Sequence, residues 1–192
     1  MKIAVGLSGG SGAIYTLALL QYLGELEVER HLVATRMGLK VMEHECGIAE
    51  RELRTYCEYY HDNQNLSAVL ASGSARLDGM AVVPCSMKTL AGIAGGYSDS
   101  LLARTADVCI KERRRLVLAV RETPLSPIHL ENMLKLSRLG VVILPTCPGF
   151  YHHPRDLGDI VRFMAGRMLD QLGIAHEVYP RWNGEGETWS GR

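Results

Sequence analysis

The sequence predicts an α/β domain in which helices cover both faces of a parallel sheet. Short runs rich in Val, Ile and Leu alternate with longer segments whose apolar residues recur at helical period. The short runs are apolar along most of their length, as strands buried on both faces are. We place strands at residues 2–7, 31–35, 79–84, 116–120 and 141–145, and expect a sheet of about five or six strands.

Helices are expected between the strands, and start and stop signals mark several of them. Ser126 and Pro127 form one start signal, and Asp156 is suited to cap the last helix. Gly140 and Gly173 follow two helices as stop signals. The clearest helices are predicted at residues 13–23, 48 to about 60, 128–139 and 157–172.

Length and composition favour a single domain over residues 1–192. The chain has 192 residues, of which 47% are hydrophobic and 22% charged. A chain of this size buries roughly 70% of its unfolded surface, so it needs no disulfide or structural metal. No internal repeat or linker divides it. Residues 61–75 are predicted to be loop, and the tail from about residue 183 is predicted to be disordered.

Charge and hydropathy argue against several partners. With 21 Lys+Arg against 21 Asp+Glu, the chain has no basic field to hold a nucleic-acid backbone. No run reaches the ~18 to 20 apolar residues that cross a bilayer, and glycines interrupt the N-terminal run, so neither a membrane span nor a signal peptide is expected. The 5 widely spaced cysteines predict free thiols in a reducing cytoplasm.

A glycine-rich turn, Ser8-Gly9-Gly10-Ser11-Gly12, follows the first strand. Its N–H groups and the next helix N-terminus would bind an anion such as phosphate, at the sheet edge where ligands of such folds bind. The spacing matches neither the dinucleotide motif nor the P-loop. The alternative is a tight turn whose glycines only allow close packing. A hydrolase elbow is rejected because the few residues before Ser8 leave no room for an oxyanion-hole loop.

Two further strand ends carry candidate residues. Arg121 and Glu122 directly follow a buried strand, where Arg suits phosphate binding and Glu suits proton transfer. A structural Arg-Glu pair would account for the same two residues. Tyr151, in a Pro-Gly turn, is placed to cover a ligand with its phenol.

Other polar residues have ordinary explanations when taken alone. Glu45 fits an exposed helix position, and the charged run at residues 111–115 fits a solvated surface. His152 and His153 are adjacent and lack a third ligand at suitable spacing, so we interpret them as surface or loop histidines rather than metal ligands.

Longer motifs make the chain resemble one family. GLSGGSGAIY begins just after the N-terminus, VVPCSMKTLAGIAGGYSDS and VLAVRETPLSPIHLENM lie in the middle, and PGFYHHP, LDQLGI and PRW follow. Together, over about residues 1–182, they resemble the flavin prenyltransferases of the UbiX/Pad1 type. Only a stretch at about residues 48–70 and the tail after Trp182 fall outside this resemblance.

The resemblance implies a flavodoxin-like Rossmann three-layer sandwich that assembles into a homo-oligomer, typically a dodecamer. It implies an enzyme that joins the dimethylallyl group of dimethylallyl phosphate to N5 and C6 of reduced FMN without a metal. The product, prenylated FMN, would serve a UbiD-type decarboxylase. This metal-independent alkyl transfer would take place in the cytoplasm, with no nucleic acid and no membrane as partner.

The resemblance also assigns roles by position. Catalytic positions are matched by Ser11, Glu45, Glu122 and Tyr151. Flavin-binding positions are matched by Gly9, Gly10, Ser11, Thr35, Ser86, Met87, Lys88, Thr89, Arg104 and Arg121. Positions around the prenyl phosphate, some supplied by a neighbouring subunit, are matched by Lys111, Arg121, Glu122, Tyr151 and Arg167. Ser11 and Glu45 would assist proton loss during ring closure, and Glu122 would handle the leaving phosphate.

Two departures and two alternatives accompany this assignment. Ser100 replaces a frequent Asn, which favours the branch associated with phenolic-acid decarboxylases, and Leu66 stands where some members have an aromatic residue of the prenyl pocket. One alternative is a flavin-dependent decarboxylase of the cysteine-decarboxylase type, whose P-A-S-A-N-T motif is replaced here by residues 84–89, PCSMKT. The other is a non-catalytic FMN carrier subunit of a decarboxylase.

Overall fold

A six-stranded parallel sheet organises the computed structural model, which describes residues 1–182. The strand order is β3-β2-β1-β4-β5-β6, so the chain reverses direction across the sheet between β1 and β4. This is the order of a doubly wound Rossmann sheet. The strands are β1 (Lys2–Leu7), β2 (Glu29–Ala34), β3 (Tyr59–His61), β4 (Gly79–Cys85), β5 (Arg115–Val120) and β6 (Val142–Ile143).

Helices connect the strands and begin and end at the expected kinds of residue. Ser126 forms a capping box with His129, Asp156 caps the last helix, and Gly173 ends that helix in the left-handed conformation. The helices are α1 (Ile14–Glu25), α2 (Arg36–Cys46), α3 (Glu50–Leu53), α4 (Met87–Gly95), α5 (Leu101–Lys111), α6 (Pro127–Arg138) and α7 (Leu157–Leu172). Sequence patterns indicated helix only near Glu45 for α2 and did not single out α4 and α5.

The core confirms three layers. On one face of the sheet, α1 and α7 bury leucines and methionines such as Leu19, Leu23 and Met168 against the strands. On the other face, α4, α5 and α6 do the same with residues such as Leu90 and Leu102. All of β4 is buried, because helices cover it on both sides.

The helix predicted from residue 48 to about 60 is wrong. That segment forms only α3 and a 3₁₀ turn at Arg54–Tyr56 before it becomes the edge strand β3. Arg30 on β2 donates hydrogen bonds to the Glu58 carboxylate, one of them from its backbone N–H to Oε2 at 2.7 Å. Aromatic Tyr59 and Tyr60 then pair with β2, as suits residues with high strand propensity.

Cysteines and hydropathy complete the description. All five cysteines are free thiols, and burial raises the pKa of Cys85 and Cys109 to about 12. Within residues 1–182, no helix combines the length and the apolar character required to cross a membrane. The tail from about residue 183, for which the sequence predicts disorder, lies outside the described residues.

Candidate active site

The candidate site lies where the chain reverses direction across the sheet, at the carboxyl ends of β1 and β4. The connections from these strands leave to opposite faces, which opens a crevice between them. Two loops meet there, residues 8–13 after β1 and residues 84–86 around the end of β4. We call this region the switch edge.

Buried Ser8 joins the two loops of the switch edge. Its hydroxyl donates to the Pro84 carbonyl oxygen at 2.7 Å and accepts from the Ser86 backbone N–H at 2.8 Å. The side chain has no exposed surface. Ser8 therefore positions the second loop against the first, and its buried, doubly bonded hydroxyl does not fit a nucleophile, which agrees with rejecting the hydrolase elbow.

The glycines of the first loop are required by close packing. A Cβ on Gly9 would lie 2.8 Å from Cβ of Met37, and one on Gly10 would lie 3.3 Å from Cβ of Pro84. Gly12 has a φ of +104°, which side chains rarely adopt. The packing explanation is thus confirmed for these positions, and it is compatible with anion binding because both depend on an approachable backbone.

Glu45 shows that this loop binds an anionic group. From the last turn of α2, its Oε2 accepts from the N–H of Gly12 at 2.8 Å and of Ala13 at 3.0 Å, next to the N-terminus of α1. Partial burial acts to raise its pKa, but hydrogen bonds from Ser11, Gly12 and Ala13 and the charge of Arg121 outweigh it. The pKa of Glu45 therefore lies below its ordinary value, and the group is a carboxylate at neutral pH.

Arg121 lies at the same edge, directly after β5. Its backbone N–H donates to the Cys85 carbonyl oxygen at 3.3 Å, and its Nε approaches the Ser11 carbonyl oxygen at 3.4 Å. Glu122 is exposed, and its Oε1 accepts from the Thr123 N–H at 3.0 Å. Within residues 1–182, Arg121 and Glu122 form no ion pair with each other, so the structural-pair explanation is not supported; Arg121 instead lies beside Ser11 and Glu45.

Two more hydroxyl residues of the predicted flavin set are helix caps. Thr35 Oγ1 accepts from the Gly38 N–H at 3.0 Å at the start of α2. Ser86 Oγ accepts from the Thr89 N–H and donates to Thr89 Oγ1 at 3.1 Å at the start of α4. The N-termini of α1, α2 and α4 thus begin at the same edge, where their partial positive charges favour an anion. Met87 and exposed Lys88 follow in the first turn of α4.

A second region, which we call the β6–α7 cavity, adjoins the sheet at β6. It has a volume of about 370 Å³ and is lined by residues that include Leu144, Cys147, Gly149, Phe163 and Arg167. The Tyr151 ring meets Phe163 edge to face at 5.8 Å. Arg167, one predicted phosphate ligand, therefore lines the cavity, and Tyr151, another, lies against the lining residue Phe163.

Arg104 and Lys111 do not reach either region within one chain. Arg104 Nε donates to the Ala71 carbonyl oxygen at 3.1 Å and its Nη1 pairs with Asp107 at 2.6 Å. Lys111 pairs with Glu112 at the end of α5, near the beginning of β5. The whole length of β5, about 20 Å, separates that end from Arg121. A role for Lys111 at the phosphate would thus require a second subunit, as predicted.

Two expectations about polar residues need correction. His152 lies in a turn, as the loop interpretation predicts, but it is not on the surface: it is buried and stacks on Phe163 at 4.8 Å, and within residues 1–182 neither ring nitrogen has a hydrogen-bond partner. In the charged run, Arg114 is half-buried and donates to the Gly73 carbonyl oxygen at 2.6 Å, and Arg115 donates to the Leu172 carbonyl oxygen at the end of α7. The run is not simply a solvated surface.

Sequence reasoning missed two structural contributors to the site. The sequence indicates Ser8 only as part of the anion-binding turn or as a nucleophile, and its link to Pro84 depends on a contact 76 residues away in the chain. Asp170, which holds Arg167 with an Nη1 to Oδ2 distance of 2.9 Å, carried no signal beyond its place in LDQLGI. An acidic residue three positions after an arginine on one helix face was the only local cue.

Comparison with known proteins places this geometry in context. The family model described as Flavoprotein matches residues 1–169. A probable UbiX-like flavin prenyltransferase of Escherichia coli is 49% identical over 185 residues, covering 96% of this chain and 94% of the relative. A crystal structure of AnUbiX (PadA1) in complex with FMN and dimethylallyl pyrophosphate matches with a TM-score of 0.94 and 45% identity, covering 95% of this chain and 97% of the other.

A dodecameric FMN-dependent UbiX-like decarboxylase from Escherichia coli O157:H7 matches with a TM-score of 0.93 and 49% identity, over 96% of this chain and 100% of that one. By contrast, the FMN-dependent cysteine decarboxylase TvaF is only 14% identical, with a TM-score of 0.64 over 90% of this chain and 98% of that one. That likeness shows the fold alone. The comparisons therefore favour the prenyltransferase interpretation over the cysteine-decarboxylase one.

Proposed function

The chain belongs to the Flavoprotein family and, within it, to the flavin prenyltransferases of the UbiX/Pad1 type, and from this premise we propose the reaction that its site carries out. The proposed reaction joins the dimethylallyl group of dimethylallyl phosphate to N5 and C6 of reduced FMN. The C–O bond to phosphate breaks with its electron pair leaving on the phosphate, and N5 bonds to the freed allylic carbon and loses its proton. A proton then adds to the prenyl double bond, whose far carbon bonds to C6, and C6 loses its proton in turn. No metal or external oxidant is needed for this balance.

The observation that carries the proposal is the ionised Glu45 carboxylate, held by Gly12 and Ala13 beside Arg121 at the switch edge. A carrier protein needs loops that hold the flavin, but it has no use for a carboxylate base beside them. Reduced FMN supplies the nucleophilic ring atoms when it is bound. Glu45, with Ser11, is placed to accept a proton released as the second bond forms.

The β6–α7 cavity is proposed to hold the prenyl phosphate. Arg167 lines it, Tyr151 stands at Phe163 on its wall, and Arg121 lies at the carboxyl end of the adjacent strand. Negative charge grows on the phosphate as the C–O bond breaks, so fixed cations stabilise the transition state more than the ground state. Apolar walls such as Leu144 and Phe163 would keep water from the allylic cation.

Residue roles follow from these positions. Gly9, Gly10, Thr35 and Ser86 to Thr89 are proposed to hold FMN at the switch edge. Glu122 is proposed to exchange a proton with the leaving phosphate. Lys111 and Arg104 are proposed to act across a subunit interface, which for Lys111 is supported by its distance from the sheet edge within one chain. The assembly is proposed to be a dodecamer, by likeness to the dodecameric relative.

The wider setting is part of the proposal. Residues 1–192 are proposed to act as one flavin-binding domain, supported by the single sheet that residues 1–182 form. The product, prenylated FMN, is proposed to serve a UbiD-type decarboxylase. A cytoplasmic location is proposed because all five cysteines are unpaired.

The test is anaerobic incubation of the purified protein with reduced FMN and dimethylallyl phosphate, followed by mass spectrometry of the released flavin. We expect a mass gain of one five-carbon prenyl unit together with release of inorganic phosphate. Omission of either substrate serves as the control. FMN that binds tightly and is recovered unmodified would contradict the proposal and favour a carrier.

A further inference from the structure

Asp170 is the centre of a hydrogen-bond cluster behind the β6–α7 cavity. Its Oδ1 accepts from His176 Nε2 at 3.1 Å and from Arg181 Nη2 at 2.9 Å. Its Oδ2 accepts from the Tyr179 hydroxyl at 2.6 Å and from Arg167 Nη1 at 2.9 Å. All four donors meet one carboxylate, and three of them lie in the segment that follows α7, residues 174–182. We call this group the Asp170 cluster.

The segment after α7 is packed tightly enough to hold the cluster in one geometry. Tyr179 is buried against α7 at Gly166, where a Cβ would lie 2.2 Å from Tyr179 Cδ1. His176 is also buried, and its Nδ1 accepts from the Val178 N–H at 3.1 Å. Since Nδ1 is an acceptor, the ring hydrogen of the neutral imidazole is on Nε2, which donates to Asp170. The segment thus has fixed hydrogen-bond roles.

Arg167 is the member of the cluster that reaches the cavity. Its Nη1 is held from behind by Asp170 and by the Tyr179 hydroxyl at 3.3 Å. Among residues 1–182, its Nε and Nη2 make no hydrogen bond, so they remain available on the side of the cavity that Arg167 lines. Arg167 and Arg181 together carry two positive charges, and Asp170 carries one negative charge. These three side chains therefore have a net positive charge, which favours binding of an anion.

We propose that Asp170 and Tyr179 are positioning residues that hold Arg167 in the rotamer that binds the prenyl phosphate. This inference rests on the proposed function, which assigns the phosphate to Arg167. A free arginine side chain loses much rotamer freedom when it binds an anion, and a guanidinium already fixed from behind loses less. The segment after α7 then supports the binding site, although Arg167 is the only member of the Asp170 cluster that contacts the ligand.

The test compares single variants in the complex with oxidised FMN, in which dimethylallyl phosphate binds without reacting. Tyr179→Phe keeps the ring against Gly166 and removes only the hydroxyl. We expect its dissociation constant for dimethylallyl phosphate to rise about five- to tenfold, because hydrogen bonds to charged groups are lost. The dissociation constant for FMN should not change. Asp159→Asn is the matched control, since Asp159 also pairs with arginines, Arg155 and Arg162, but at the opposite end of α7.

A double-mutant cycle separates positioning from general stability. In an Arg167→Ala background, Tyr179→Phe should cause no further loss of affinity, because the residue it acts through is gone. Equal losses in both backgrounds would overturn the inference and indicate a structural role. If Arg167→Ala alone leaves the affinity for dimethylallyl phosphate unchanged, the phosphate assignment of the proposed function fails instead. Asp170→Asn provides a second variant, with the same expected coupling to Arg167.

Discussion

The switch edge and the β6–α7 cavity are built in different ways. At the switch edge, backbone N–H groups and helix termini form the site, and a few local contacts such as those of Glu45 and Ser8 complete it. At the cavity, side chains from β6, the loop after it and α7 form the lining, and Asp170 holds the lining residue Arg167. The first region depends on where the chain turns, and the second depends on which side chains meet over long distances.

The difference has a functional meaning under the proposed reaction. A site made of backbone groups suits the part of FMN that must be bound in one place throughout the reaction. A site made of an arginine and a tyrosine suits a phosphate whose charge changes as its bond breaks. Each region can therefore be altered separately, and the following experiments are ordered from the largest expected effect.

Glu45→Gln should break the chemistry while both binding regions stay intact. Removing the carboxylate removes the proton acceptor, and general base catalysis typically contributes ~100-fold or more, so we expect prenylated flavin to form at least about 100-fold more slowly. FMN binding should change little, since a glutamine oxygen can still accept from Gly12 and Ala13. Product formation by mass spectrometry measures this, with exposed Glu43→Gln on the same helix as control. A wild-type rate for Glu45→Gln would contradict the role.

The pH profile of the same reaction sharpens this point. Since the pKa of Glu45 is held below its ordinary value, the base stays ionised through the weakly acidic range. As pH falls, the rate should therefore decrease through protonation of Glu45 only below about 4 to 4.5, the usual range of a carboxyl pKa. A pH–rate profile in which Glu45 becomes protonated near neutral pH would show that the Gly12 and Ala13 contacts do not set its charge state.

Lys111→Ala tests whether a second subunit completes the cavity. Loss of a cation from the leaving phosphate should slow the reaction about 10- to 100-fold. Co-assembly of Lys111→Ala with Glu45→Gln subunits should restore about a quarter of the sites, because some pairs then combine both intact residues. Activity assays of co-expressed, differently tagged subunits measure the recovery. If activity is not recovered, either Lys111 and Glu45 of one subunit serve the same site, or Lys111 lies outside the site.

His152→Phe tests the packing around the cavity. Both ring nitrogens of His152 are buried without a partner in the described chain, and its ring stacks on Phe163. Replacing unpartnered polar atoms with an apolar ring should stabilise the protein by about 1 kcal/mol, or raise Tm by about 2–4 °C. Thermal unfolding measures this, with the exposed His44→Phe as control. A clear loss of stability would mean that a partner from another subunit satisfies His152.

Glu58→Gln should have the smallest effect, at the edge strand β3. Hydrogen bonds from Arg30 lower the pKa of Glu58 to about 2, so this pair stabilises the fold above the ordinary carboxyl pKa and the contribution is lost as pH falls towards 2. Glu58 is substantially exposed, so solvent screens the pair and we expect a loss of only about 0.5 kcal/mol at neutral pH. Thermal unfolding of Glu58→Gln and exposed Glu25→Gln should differ at pH 7 and converge near pH 2. A constant difference would exclude the ionic contribution.

The same contrast explains what could be predicted from the sequence. The switch edge follows from local signals: the apolar run of β1 and the glycines after it each act within a few residues. The helix expected at residues 48–60 failed because a short segment of Tyr59 and Tyr60 gains more from pairing with β2 than from helical period. The Asp170 cluster could not be foreseen because Asp170, His176 and Tyr179 meet only after the chain folds back on α7.

A crystal structure of the complex with oxidised FMN, soaked with dimethylallyl phosphate, tests the central claim most directly. The account predicts FMN at the switch edge and the phosphate within hydrogen-bond distance of Arg167 and Tyr151, with Lys111 supplied by a neighbouring subunit. Density for the phosphate away from the β6–α7 cavity, with Arg167 contacting only Asp170 and Tyr179, would contradict it.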